Sequence, residues 1–383
     1  MSLAPLVDTH RIVVCVGSGG VGKTTTSAAL SVFAAMQGKR VLSLTIDPAK
    51  RLADSRGLSE LGPDVQRIPN ALFERNGLRC KGSLSAMMLD TKRVFDQLIE
   101  RHARSERARE RILANQIYQY VSTSLAGTQQ YMAMEKLFEV REDQHYDLVM
   151  LDTPPTRDVL DFLEAPARLT TAIDSPAVRW LVHSLDGRLS LLRKSATVVM
   201  RGLSRFTGAG FLTQVASFVR DIDDLFGGFR QRAQRVAQVL RDASVAFVLV
   251  TSPHPQNVGE AAFLSRKLRE TGIVCRGVVI NRVHRSLTQT SAGQGSLAAE
   301  LRALGMGETP AAALLEQMMR AANDEQALAS GDKMGIARLE RSLPSATPCI
   351  QVPAFDHDVH DLAALASVAA YLAGTRTLES APE

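Results

Sequence analysis

The chain has 383 residues, 45% of them hydrophobic and 22% charged, with a formal net charge of +5. That supports one large α/β core, alone or with a helical annex, and no dense Lys/Arg tract interleaved with aromatics argues for nucleic-acid binding. No apolar stretch reaches membrane-spanning length, and Met1 to Asp8 lacks the charged flank and apolar run of a signal peptide, so a soluble, cytoplasmic protein without an integral membrane segment is expected.

In chain order, the first strong signal is Ile12 to Val16, an apolar run that reads as a buried strand. It leads directly into Gly17-Ser18-Gly19-Gly20-Val21-Gly22-Lys23-Thr24, which fits the phosphate-binding pattern GxxxxGK[ST]. Glycines let successive backbone N–H groups turn inward around phosphate oxygens. Lys23 would place an ammonium on the β- and γ-phosphates and Thr24 a hydroxyl on Mg²⁺. The Ala-rich segment from Thr25 to Met36 reads as a buried helix whose N-terminus adds to the attraction for anions. Gly19, Gly20, Val21, Gly22, Lys23, Thr24 and Thr25 are thus the candidate binding segment for a nucleoside triphosphate.

Arg40 to Ile46 predicts a second strand, with Asp47-Pro48 at its C-terminal edge. Ligand chemistry in open α/β sheets sits at that edge, so Asp47 is a candidate catalytic carboxylate, against the simpler role of a turn cap. Residues 58 to 82 read as irregular. Leu84 to Leu89 predicts a strand, and Asp90 caps a helix. Helical periodicity runs from Val94 to Val140 with an interruption at Ser122 to Gly127, and Tyr118, Tyr120, Tyr131 and Phe138 read as packing residues. Tyr146 to Asp152 is the next strand, and the Asp152 it delivers would hold Mg²⁺ or its water shell. Pro154 and Pro155 stiffen the turn after it.

Residues 166–242 carry no strand signal and read as amphipathic helices. The apolar stripe from Phe211 to Phe229 is either core or a surface for a partner or client. Ser244 to Val250 predicts a strand, followed by a helix from Val258 to Arg269 with Asn257 as cap; Val274 to Ile280 is another strand, ending at Asn281. A strand-end Asn can face an adenine edge with donor and acceptor, although a turn role is as common. Residues 284–346 read as a polar, mostly helical insertion with no evident chemistry. Pro348 to Val352 is the last strand, followed by Pro353 to Val359 and a closing helix from Leu362 to Leu372 that has no basic face for membranes. The four cysteines, Cys15, Cys80, Cys275 and Cys349, form no CxxC pair and read as thiols in a reducing compartment.

The glycine turn, Asp47-Pro-Ala, Asp152-Thr-Pro-Pro-Thr156, Asn281 and the Pro353 segment together make the chain resemble the ArsA family of deviant phosphate-loop ATPases. That family includes the arsenite-pump ATPase and the tail-anchored-protein targeting ATPase. The resemblance implies a parallel sheet flanked by helices, with a nucleotide-binding domain at 1–165 and 243–383, an inserted helical subdomain at 166–242 and a helical insertion at 284–346. It implies a dimer closing around ATP and Mg²⁺, and a hydrophobic helix or partner protein as client. It would make Asp47 the switch I carboxylate that polarises the attacking water and Asp152 the switch II carboxylate. Asn281, with Pro353 and Phe355 in the following loop, would hold adenine.

Two positions depart from that pattern. The family's signature Lys, which reaches across the dimer to the partner's nucleotide, is Ser18 here. A cation supplied in trans to a phosphoryl transition state is worth roughly 10³–10⁵ in rate. A hydrolysis-poor subunit in a heterodimer with a Lys-bearing paralogue is therefore the alternative, with Lys50 and Arg51 as candidate substitutes for the missing charge. The cysteines are also too dispersed to capture a metalloid or bridge a dimer through zinc, so arsenite transport is not expected.

Overall fold

Among the described residues eight strands form one sheet, in the order β3-β4-β2-β5-β1-β6-β7-β8. In chain order these are β1 (Ile12–Gly17), β2 (Arg40–Thr45), β3 (Gln66–Arg67), β4 (Ser83–Met88), β5 (Leu148–Asp152), β6 (Val245–Thr251), β7 (Cys275–Val283) and β8 (Cys349–Pro353). The computed structural model describes residues 1–46, 64–124, 128–142, 144–153, 238–286 and 293–378, with the single positions 171, 218 and 235. All strand pairs are parallel except β3 with β4. Every residue of β1, β5 and β6 is buried, the pattern of a parallel sheet covered on both faces.

Successive side chains of β1 feed opposite sides of the sheet. Ile12, Val14 and Val16 join one apolar cluster, while Val13 and Cys15 join the other. The helices are α1 (Ala4–Thr9), α2 (Lys23–Met36), α3 (Asn70–Arg75), α4 (Thr91–His102), α5 (Glu106–Ala114), α6 (Gln116–Ser124), α7 (Thr128–Glu142), α8 (Pro255–Glu270), α9 (Gly293–Ala303), α10 (Glu308–Ser342) and α11 (Leu362–Leu372). The first cluster takes side chains from α4, α5, α7, α8 and α10, such as Ile99, Ile112, Leu137, Leu264 and Leu339. The second packs α2 and α11 against the opposite face, with Val7 of α1 and Phe73 of α3.

Most expected elements fall within two residues of their observed positions, and α11 matches its expected range. Asp90 caps α4 as expected, accepting from the Arg93 N–H at 3.0 Å. Tyr118 and Tyr131 are buried, and Phe138 packs against the same core. Burial, with help from the adjacent Asp96 carboxylate, pushes the Tyr118 phenol above its ordinary range.

Several expectations need correction. The irregular stretch 58–82 contains β3 and α3. Helical periodicity from Val94 is broken at Ala103 to Ser105, where Ser105 caps a separate helix by accepting from the Ala108 N–H. The cap of α8 is His254, followed by Pro255 at the first helical position, the place where a missing N–H costs least. Asn257 instead lies inside the first turn and donates to the Ser252 hydroxyl at 2.7 Å. The expected helices of 166–242 lie outside the described residues apart from Thr171, Phe218, Arg235 and the end at Gln238 to Leu240.

Candidate nucleotide site

β1 lies at the middle of the sheet between β5 and β6, so its C-terminal end opens where the crevice of an α/β sheet forms. A side chain at Gly17 would put its Cβ 2.0 Å from the Val250 carbonyl oxygen of β6; only glycine lets the loop leave the strand there. Gly20 and Gly22 have φ of +75° and +96°, the left-handed region that side chains resist. Gly22 is also the N-cap of α2, so the turn passes straight into the helix N-terminus.

Charged and hydroxyl groups converge on this turn. Lys23 is buried, and its Nζ donates to the Ser18 carbonyl oxygen at 2.8 Å. Thr24 Oγ1 donates to Asp152 Oδ2 at 2.6 Å, and Thr45 Oγ1, from the end of β2, reaches the same oxygen at 3.3 Å. Thr153 Oγ1 donates to the Cys15 carbonyl at 2.8 Å, tying the end of β5 to β1. Parallel pairing of Thr45 and Cys15 with Asp152 sets this register. Sequence reasoning missed Thr45, although a hydroxyl at a strand end two residues before Asp47 was a usable signal.

On the other side of the turn, Asn281 Nδ2 donates to the Val21 carbonyl oxygen at 2.9 Å. Pro353 is buried opposite Val283, and the Ala354 N–H donates to the Val283 carbonyl at 2.9 Å. Phe355 meets Tyr371 and His357 edge to face, each with centroids 6.2 Å apart. Tyr371 OH in turn accepts from Arg285 at 2.7 Å. Thus the structure brings together the loop from Gly19 to Thr25, Asp152 and Asn281, and sets Pro353 and Phe355 at the end of the strand beside Asn281. Asp47, Lys50 and Arg51 lie outside the described residues; the chain reaches Ile46, whose N–H donates to the Asp152 carbonyl at 3.3 Å.

Ser18 is buried, at 4% exposure. The Cys15 thiol beneath the loop is pushed well above its ordinary value, by burial and then by the Asp152 carboxylate. Cys349 is raised to about 11, mainly by burial; burial also raises Cys275 and Cys80. Burial thus disfavours the thiolate, the reactive form, at all four.

A buried central strand, a glycine turn, a Lys-Thr helix start and a strand-end Asp on the Thr hydroxyl define a phosphate-loop nucleoside triphosphatase fold. The family described as anion-transporting ATPase matches residues 10–294. The chain belongs to that ArsA family and is an ATPase. It is similar to ATPase GET3 of Malassezia globosa, at 26% identity over 70% of this chain and 71% of the relative. Over 41% of this chain and 44% of the relative it is 31% identical to ATPase get3 of Schizosaccharomyces japonicus. An ATPase ASNA1 homolog of Cryptosporidium parvum is 25% identical over 70% of this chain and 63% of its own length.

Proposed function

We propose that the chain binds Mg-ATP in the turn between Gly17 and Thr24 and hydrolyses it to drive closure of a dimer, handling a hydrophobic helix or partner protein through its helical subdomain at 166–242. The observation that carries this is the convergence of Lys23, Thr24 and Asp152 at a turn where Gly17 and Gly22 leave no room for side chains. In this account the backbone N–H groups of Gly19 to Thr25 bind the phosphate oxygens, and Lys23 exchanges the Ser18 carbonyl for the β- and γ-phosphates. A hydroxyl and a carboxylate are the hard oxygen donors magnesium takes, so Thr24 and Asp152 fit it. When bound, the ion would neutralise charge between the β- and γ-phosphates. Asp47 orients the attacking water, and Asn281 with Pro353 and Phe355 bounds the adenine. Cytoplasmic residence fits the four free cysteines. Among the described residues no helix is long and apolar enough to cross a membrane.

A second reading is favoured by Ser18. Neutral and buried at the position of the family's signature Lys, it sends no cation across an interface. This supports a subunit that turns ATP over slowly alone and quickly beside a Lys-bearing paralogue. Turnover of the purified chain, with and without such a paralogue, separates the two. Asp47→Asn should lower turnover by at least a hundredfold while ATP still binds, and an unchanged rate would remove Asp47 from the chemistry.

A further inference from the structure

Strand β7 does not end regularly. From Ile280 to Val283 it advances three residues while β8 advances two, from Gln351 to Pro353. One residue is therefore extra, which is a β-bulge. Arg282 within it has φ of +60°, the one non-glycine residue with positive φ among those described. Its side chain is exposed, so packing of the guanidinium does not impose that conformation. The chain is held on the far side of the bulge by three contacts. The Val283 carbonyl accepts from the Ala354 N–H at 2.9 Å, and Asp332 Oδ2 of α10 takes the His284 N–H at 2.8 Å and lies 2.8 Å from His284 Nδ1.

Asn281 lies in the same irregularity, beside Arg282. Asn281 Nδ2 reaches the Val21 carbonyl of the phosphate loop and occupies the place where a Cβ on Gly22 would fall, 2.2 Å away. No peptide bond among the described residues is cis, and in a planar trans peptide the C=O and N–H point in opposite directions. With the Val21 carbonyl engaged by Asn281, the Gly22 N–H of the same peptide therefore points the other way, away from Asn281.

We propose that Asn281 is a clamp on the phosphate loop, setting the Val21–Gly22 peptide so that the Gly22 N–H faces the phosphates, and that the left-handed backbone of Arg282 is the positioning element that aims it. This rests on the reading that the loop holds a triphosphate, and it adds to the base contact expected of Asn281 a role that needs no base. Among the described residues the second hydrogen on Nδ2 and the Oδ1 acceptor make no further bond, so both roles fit one side chain.

The test compares affinities for Mg-ATP and for Mg-tripolyphosphate, which has no base. Asn281→Ala should weaken tripolyphosphate binding about fivefold or more, the usual effect of one lost hydrogen bond. Arg282→Val should do the same, because a β-branched residue resists the left-handed region, whereas Arg282→Gly should bind like wild type. Both substitutions remove the guanidinium, so the difference between them reports the backbone alone. Asn281→Ala carries the test should Arg282→Val fail to fold. Weakened ATP binding with unchanged tripolyphosphate binding in Asn281→Ala would overturn the clamp and leave the nucleotide reading standing. Equal binding by the Gly and Val variants would overturn the role of Arg282. A wild-type chain that binds neither probe would overturn the nucleotide reading, and the clamp with it.

Discussion

At the scale of single residues, the site depends on backbone that only certain residues allow. Gly22 is the sharpest case, because two requirements meet there. Its φ of +96° disfavours a side chain, and a Cβ would collide with Asn281 Nδ2 at 2.2 Å. Gly22→Ala is expected to lower ATP affinity by at least tenfold in equilibrium binding, and wild-type affinity in that variant would contradict the geometry. Gly17, Gly22, Lys23 and Thr24 were legible because the motif names each by type and spacing, and Asp152 because an apolar strand delivers it at its end. The left-handed Arg282 was not, since an Arg at a strand end carries no sign of positive φ. Nor was the contact of His284 with Asp332, which joins residues 48 positions apart with nothing local to mark either.

At the scale of elements, the strands were readable because burial on both faces writes continuous apolar runs. The two-residue β3 is too short to leave a pattern, and α10 illustrates the converse problem. It runs unbroken for 35 residues, about 50 Å at 1.5 Å per residue, although Gly331 and Gly335 inside it look like breakers. Gly335 has a packing reason: a Cβ there would meet the Pro253 carbonyl oxygen at 2.2 Å. The helix thus passes close over the β6–α8 connection, held nearby by Asp332 on His284. Gly335→Ala would have to push backbone apart and should destabilise the fold by about 1–3 kcal/mol in chemical denaturation, despite the better helix propensity of Ala. A more stable variant would contradict the contact.

At the scale of the whole molecule, the sheet separates chemistry from scaffolding. The phosphate loop, Asp152 and Asn281 lie at the C-terminal ends of the parallel strands, while Arg40 and Asp147 join β2 to β5 at the opposite ends. Arg40 holds Asp147 through Nη2–Oδ1 at 2.7 Å, Nε–Oδ2 at 3.1 Å and its own backbone N–H at 2.8 Å. These bonds, the guanidinium contact foremost, hold the Asp147 carboxyl at about 2 against an ordinary 3.8. A carboxyl depressed in the folded state stabilises it fully above the ordinary value and loses that contribution as the pH falls toward the lowered one. The gap in melting temperature between wild type and Asp147→Asn should therefore shrink between pH 4 and pH 2, while ATP affinity at neutral pH stays the same. A gap independent of pH would rule out this pair as its source.

The overall plan, a parallel sheet with its loop at the central strand, was legible from the alternation of apolar runs and the position of one motif. How α10 and the end of β7 brace the loop was not, because those bonds are tertiary. The claim on which the functional account turns is that the glycine turn ahead of Lys23 grips a triphosphate. The most direct measurement is equilibrium binding of ATP to the wild-type chain and to Lys23→Ala, each with magnesium and with EDTA. The account predicts binding by the wild type that strengthens with magnesium and falls by at least a hundredfold in Lys23→Ala. Equal affinity in the two proteins, or none in either, would contradict it.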